Sequence, residues 1–147
     1  MAAYLSTELG GSANQTSAPV GYRPAASVYM ARLKRLRATF TLASQATTDT
    51  LVVGNLPAGA TFAFGVMNAS ATLGASATVA IGTTGSTGKY RAAAVFTAAA
   101  PTLFGDVAAA AAASPLAAEE QVFVTIAVAA LPSSGTFTVD LYYSMPQ

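Results

Sequence analysis

Arg32, Lys34, Arg35 and Arg37 place four of the chain's seven basic residues within six positions. Cations at that density can pair with carboxylates, with phosphates or with a nucleic-acid backbone. The spacing in Arg32-Leu33-Lys34-Arg35-Leu36-Arg37 separates these readings only in part. Nucleic-acid binding needs aromatic residues interleaved with a larger basic surface, and neither is present. A docking patch for an acidic protein surface fits better, because arginine pairs bidentately with carboxylates. The plain alternative is a strand whose cations stay in water and guard a sheet edge. Tyr22 and Arg23 are further candidates for the same docking role, and Arg91 could extend the patch if the fold brings it near.

Other chemistry is scarce. With no cysteine and no histidine, the usual general base, the strongest nucleophile and the common ligands of zinc, copper and haem are missing. The expectation is therefore a protein that is not an enzyme, with no catalytic residue, metal or cofactor. Glu119-Glu120 is the one acidic pair and reads as a solvated turn before an apolar strand. Asp49, Asp106 and Asp140 read as a turn, a loop and an exposed strand position. Gly82 to Gly88 ends in Gly88-Lys89, yet it lacks the spacing of a phosphate loop and joins strand to strand, so it reads as a hairpin.

The elements that carry these residues are strands. Leu36, Ala38, Phe40 and Leu42 alternate with Arg37, Thr39 and Thr41, the period of a half-buried strand. Parity slips at Lys34-Arg35, which suggests a bulge or the strand's start. Thr50 to Val53 gives a second strand, and Asn55 to Gly59 a turn. Phe62, Phe64 and Val66 alternate on a third. Thr78 to Ile81 and Lys89 to Phe96 follow, then Gln121 to Val128. The last strand is the clearest, with Phe137, Val139, Leu141 and Tyr143 on one face and Thr136, Thr138, Asp140 and Tyr142 on the other. Short strands punctuated by Gly, Pro, Ser and Thr predict an all-β fold, an antiparallel β-sandwich or jelly roll. Between them, the alanine-rich stretch from Val107 to Ala118 reads as a short helix or a loose connection. Residues 1–27 have no period and read as an extended N-terminal arm; residues 28–147 form the β-sandwich domain.

Composition bears on the setting. Only 9% of the 147 residues are charged, against roughly 25% in an ordinary domain, while 53% are hydrophobic and the net charge is +1. Residues 1–38 hold five basic side chains and one acid; the remainder holds two basic and five acidic. That asymmetry lets copies of the chain, or its two parts, attract each other. A near-neutral balance argues against bulk attraction to nucleic acid. No run of about 18 apolar residues suggests a membrane span, and the N-terminus lacks the pattern of a Sec-type signal peptide. So few charges leave a lone domain prone to self-association, which points to an assembly component.

Several segments then carry a resemblance. Asp49 to Ala60 (DTLVVGNLPAGA), Leu73 to Thr83 (LGASATVAIGT), Gly88 to Ala94 (GKYRAAA) and Leu131 to Thr136 (LPSSGT) together resemble head decoration, or cement, proteins of tailed bacteriophages, across about residues 45 to 144. The resemblance implies a β-sandwich or jelly-roll subunit, commonly a homotrimer, that binds the major capsid protein on the virion surface after synthesis in the host cytoplasm. It supplies no catalytic residues. The other readings are a tail or head–tail joining protein, and a host-glycan-binding module for which outward-facing tyrosines such as Tyr142 are the candidates.

Overall fold

The chain is described here by a computed structural model that covers residues 32–98, 100–105, 108 and 115–145. The arm expected over residues 1–27, with Tyr22 and Arg23, lies outside the described residues. So does all but one residue of the alanine run 108–113.

Among the described residues eight strands follow in order: β1 Arg32–Thr41, β2 Thr50–Leu56, β3 Thr61–Ala69, β4 Thr78–Thr83, β5 Ser86–Val95, β6 Thr102–Phe104, β7 Glu120–Ala127 and β8 Thr136–Met145. They form two four-stranded antiparallel sheets, ordered β1-β8-β3-β6 and β2-β7-β4-β5. The pairings β1·β8, β2·β7, β3·β6 and β4·β5 are those of one long hairpin whose tip is the β4–β5 turn. Rolling that hairpin so that β8 also meets β3, and β7 also meets β4, closes each sheet. This connectivity is the jelly roll, one of the two expected forms.

The core forms where the inward faces of the sheets meet. Phe137, Val139 and Leu141 of β8, Val122, Val124 and Ile126 of β7, and Val79 and Ile81 of β4 are all buried. Each side chain of this size adds roughly 1.5–3 kcal/mol by leaving water. The alternation read on β8 is therefore the alternation of the core itself, and β7 repeats it.

Three expectations need correction. β1 has no bulge at Lys34-Arg35: its ladder with β8 runs unbroken from Arg32↔Met145 to Thr41↔Thr136. The irregularity lies in β3, where the register shifts between Phe62 and Phe64. Phe62 packs on the buried Tyr90 ring at 4.6 Å, whereas Phe64 stacks on Tyr142 outside the core. Phe62, Phe64 and Val66 therefore do not share one face. Finally, Asn55 and Leu56 belong to β2, so the turn begins at Pro57 and closes through Ala60 N–H to the Pro57 carbonyl. Gly59, at φ +79°, occupies the conformation that favours glycine there.

Candidate functional site

Among the described residues, β1 is an edge strand, with β8 on one side and no strand on the other. All four of its cations are exposed. Strand parity divides them: Arg35 and Arg37 stand with Leu33 and Thr39 on the outer face, while Arg32 and Lys34 share the parity of Leu36, Ala38 and Phe40. The cluster is thus two short rows flanking one strand edge, not a single patch.

Leu36 anchors this edge to the other sheet. β2 bulges between Val52 and Gly54, and Gly54 adopts φ +144°. A β-carbon at Gly54 would come within 2.9 Å of Leu36 Cδ2. The glycine therefore lets the Leu36 side chain sit against the β2 backbone where the two sheets meet.

On the outer face, Arg37 lies opposite Asp140 in the β1–β8 ladder. Its Nε and Nη2 donate to the two carboxylate oxygens of Asp140, each at 2.7 Å. Asp140 is only 5% exposed, which corrects the expectation of an exposed strand position. It points outward by parity, but Arg37 on β1 and Val66 on β3 flank it. The hydrogen bonds and charge of Asp140 raise the pKa of the Arg37 guanidinium, which stays protonated at any ordinary pH.

Next along β1, Arg35 lies opposite Tyr142. The Tyr142 ring stacks on Phe64 of β3 at 4.7 Å and 19°, so one of its faces is already taken. Leu33 at 54% and Leu103 of β6 at 70% exposure add apolar area to the sheet. A 380 Å³ groove lined by Ala63, Phe64, Leu103, Phe104 and Gly105 lies at the β3–β6 margin. Arginine and aromatic side chains with apolar neighbours are what protein interfaces concentrate. Nothing in this arrangement supplies a nucleophile with a base beside it.

Among the described residues, the other two basic side chains, Arg91 and Lys89, do not join β1. Arg91 lies on β5, in the other sheet. Its Nη1 donates to the carbonyls of Val79 and Ala94, and its Nη2 to that of Val95. Burial lowers its pKa. Lys89 Nζ reaches Glu120 Oε2 at 2.5 Å, and the buried Tyr90 hydroxyl donates to Glu120 Oε1. Burial, then the Glu120 hydrogen bond, raise the Tyr90 pKa. Glu120 is therefore a paired group and not part of a solvated turn, whereas Glu119 is exposed and accepts from Asn55 Nδ2 at 2.6 Å. The glycine-rich stretch is the hairpin expected, with Thr84-Gly85 between β4 and β5. Among the described residues, no three acidic side chains gather where they could hold a metal ion.

No family model matches the sequence, and no curated protein matches it. Solved structures do. A chain of the cyanophage Pam1 capsid asymmetric unit is 23% identical with a TM-score of 0.58, covering 92% of this chain and 96% of its own length. A chain of the Ralstonia phage GP4 capsid is 19% identical with a TM-score of 0.63, covering 79% of this chain and 86% of its own. A third, from the acid-stable capsid of Helicobacter pylori bacteriophage KHP30, is 12% identical with a TM-score of 0.56, covering 78% and 89%. The fold is one found in phage capsids. Identities this low establish the likeness at the level of fold, and a fold alone does not assign a role.

Proposed function

We propose that the chain is a structural virion protein that binds the outer surface of a phage capsid and stabilises it, as a decoration or cement protein. The observation that carries this reading is the likeness to a chain of the Pam1 capsid asymmetric unit along nearly the full length of both chains. The exposed cations of β1 and the apolar outer face beside them support it, since they provide a docking surface and no catalytic apparatus. The chain acts without a cofactor and is not an enzyme. Its partners are the major capsid protein and two further copies of itself, in a homotrimer; Tyr22, Arg23, Arg32, Lys34, Arg35 and Arg37 contribute to docking.

Mass action supplies the mechanism. A protein that binds the assembled shell but not its free subunits stabilises the shell by RT ln(1 + [L]/Kd). Each contact need not be strong, because many copies act on one lattice. Low surface charge suits such a role, since the apolar exterior is covered by companions. The test is to sediment undecorated phage capsids with the purified full-length protein at physiological salt. Saturable co-sedimentation is expected, together with a rise in the temperature at which the shell opens. Failure to co-sediment at any concentration removes the reading.

A further inference from the structure

We propose that the free edge of β1 receives an extended, acidic segment of a partner protein as an additional strand of the β1-β8-β3-β6 sheet. This deepens the docking reading and rests on it only for which protein donates the strand.

The first argument is geometric. Among the described residues the two sheets have four edge strands, β1, β6, β2 and β5, and three of them are unsuited to a new neighbour. β6 has three residues. β2 is broken by its bulge between Val52 and Gly54. β5 is irregular against β4, and Arg91 occupies carbonyls of its last residues. Short length and bulges are the ordinary means of closing an edge to other chains. β1 has neither: it is ten residues long, and its ladder to β8 shows no register shift. The main-chain groups on its other side are the template that strand addition uses.

The second argument concerns the cations, whose division between two faces serves a flat docking surface poorly. A surface approaching either face meets one pair and leaves the other pointing away. A strand lying alongside β1 is the occupant whose own side chains flank both rows, because successive residues alternate faces at matching heights. Arg37 remains usable, since its bond to Asp140 employs Nε and Nη2 and leaves Nη1.

Third, the pattern selects its partner. Arg32-Leu33-Lys34-Arg35-Leu36-Arg37 has cations at the first, third, fourth and sixth places, a pattern that reads the same in both directions. A second copy's β1 pairing with it in register sets cation against cation, which is unfavourable. An acidic strand with carboxylates at the same four places meets all four cations in either orientation. The charges that close this edge to identical chains open it to an acidic one. Main-chain bonds then supply affinity and the paired charges supply selectivity.

The experiment uses the full-length protein and synthetic ten-residue peptides at physiological salt. The probe is TVEVEEVEVT, with glutamates at the complementary spacing. Controls are TVKVKKVKVT, the one-faced rearrangement TEVEVEVEVT, and two forms of the probe N-methylated at alternate residues in opposite phases. Expected results are saturable binding of the probe, at least ten-fold weaker binding of the lysine peptide and of the one-faced peptide, and loss of binding in one N-methylated form. Amide hydrogen exchange should show new protection along β1. No binding of the probe, equal binding of the one-faced peptide, or insensitivity to N-methylation in both phases would each overturn the proposal. Peptide binding without capsid co-sedimentation would refute the decoration reading and leave the strand-receiving edge standing.

Discussion

Arg37 and Asp140 face each other across the β1–β8 ladder and join through two hydrogen bonds of 2.7 Å, the arginine side chain 51% exposed and the aspartate 7%. The pair is asymmetric: the arginine is free to leave, and the aspartate is not. Removing one partner of such a pair leaves the covered charge without compensation, and that penalty exceeds what the intact bond contributes. Arg37→Gln is therefore expected to lower Tm measurably. Arg35→Gln, two residues away and opposite Tyr142, is expected to leave Tm within the small range of ordinary surface changes. Thermal unfolding by circular dichroism distinguishes them, and equal effects would mean that Asp140 does not depend on its arginine.

Gly65 on β3 lies under Phe104 of β6, so a β-carbon there would overlap the phenyl ring. Gly65→Ala is expected to destabilise by about 1–3 kcal/mol through overpacking. Because the obstruction is a single side chain, Gly65→Ala combined with Phe104→Leu should recover part of that loss. Urea unfolding of the three variants checks it. Additive losses would place the strain in the backbone instead.

The alternation on β8 made its buried face legible, and the Thr, Gly and Pro breaks made the number of strands nearly so. β6 was not legible because three residues are too few to show a period. The outward side of each strand was misread where burial depends on neighbours not adjacent in sequence. Asp140 looks exposed on β8 alone and becomes covered only when β1 and β3 lie beside it. The bulge in β3 reversed Phe64 and Val66 for a similar reason: a one-residue slip leaves composition unchanged but flips every following side chain. The double row of cations also produced a false bulge at Lys34-Arg35. A strand charged on both faces breaks the rule of one apolar face, and an edge strand is where that rule is weakest.

Tyr90 and Glu120 give a pH dependence with a definite sign. The Tyr90 phenol is raised in the fold, first by burial and then by its bond to Glu120. Its contribution to stability is fully present below the unfolded tyrosine value of about 10 and declines as pH rises above it, by at most about 1.4 kcal/mol per pH unit. Tyr90→Phe should remove that part of the alkaline decline. Glu120→Ala should cost about 1–3 kcal/mol near neutrality by leaving the buried hydroxyl unpaired. Chemical unfolding between pH 7 and 11 measures both; an unchanged alkaline slope in Tyr90→Phe would contradict the first.

Deletion of residues 2–26 tests the division of the chain into arm and domain. The truncated protein should retain cooperative thermal unfolding with a β-sheet spectrum while binding capsids less well than the full chain. Loss of cooperative unfolding would make the arm part of the domain's core.

The account stands most directly on where the chain sits in a particle. A cryo-electron microscopy reconstruction of phage capsids saturated with the full-length protein measures this. The expected map shows the jelly roll on the outer shell, with β1 turned toward the major capsid protein and continuous strand density along its edge. A shell without the protein, or one that carries it with β1 facing bulk solvent, would contradict the account.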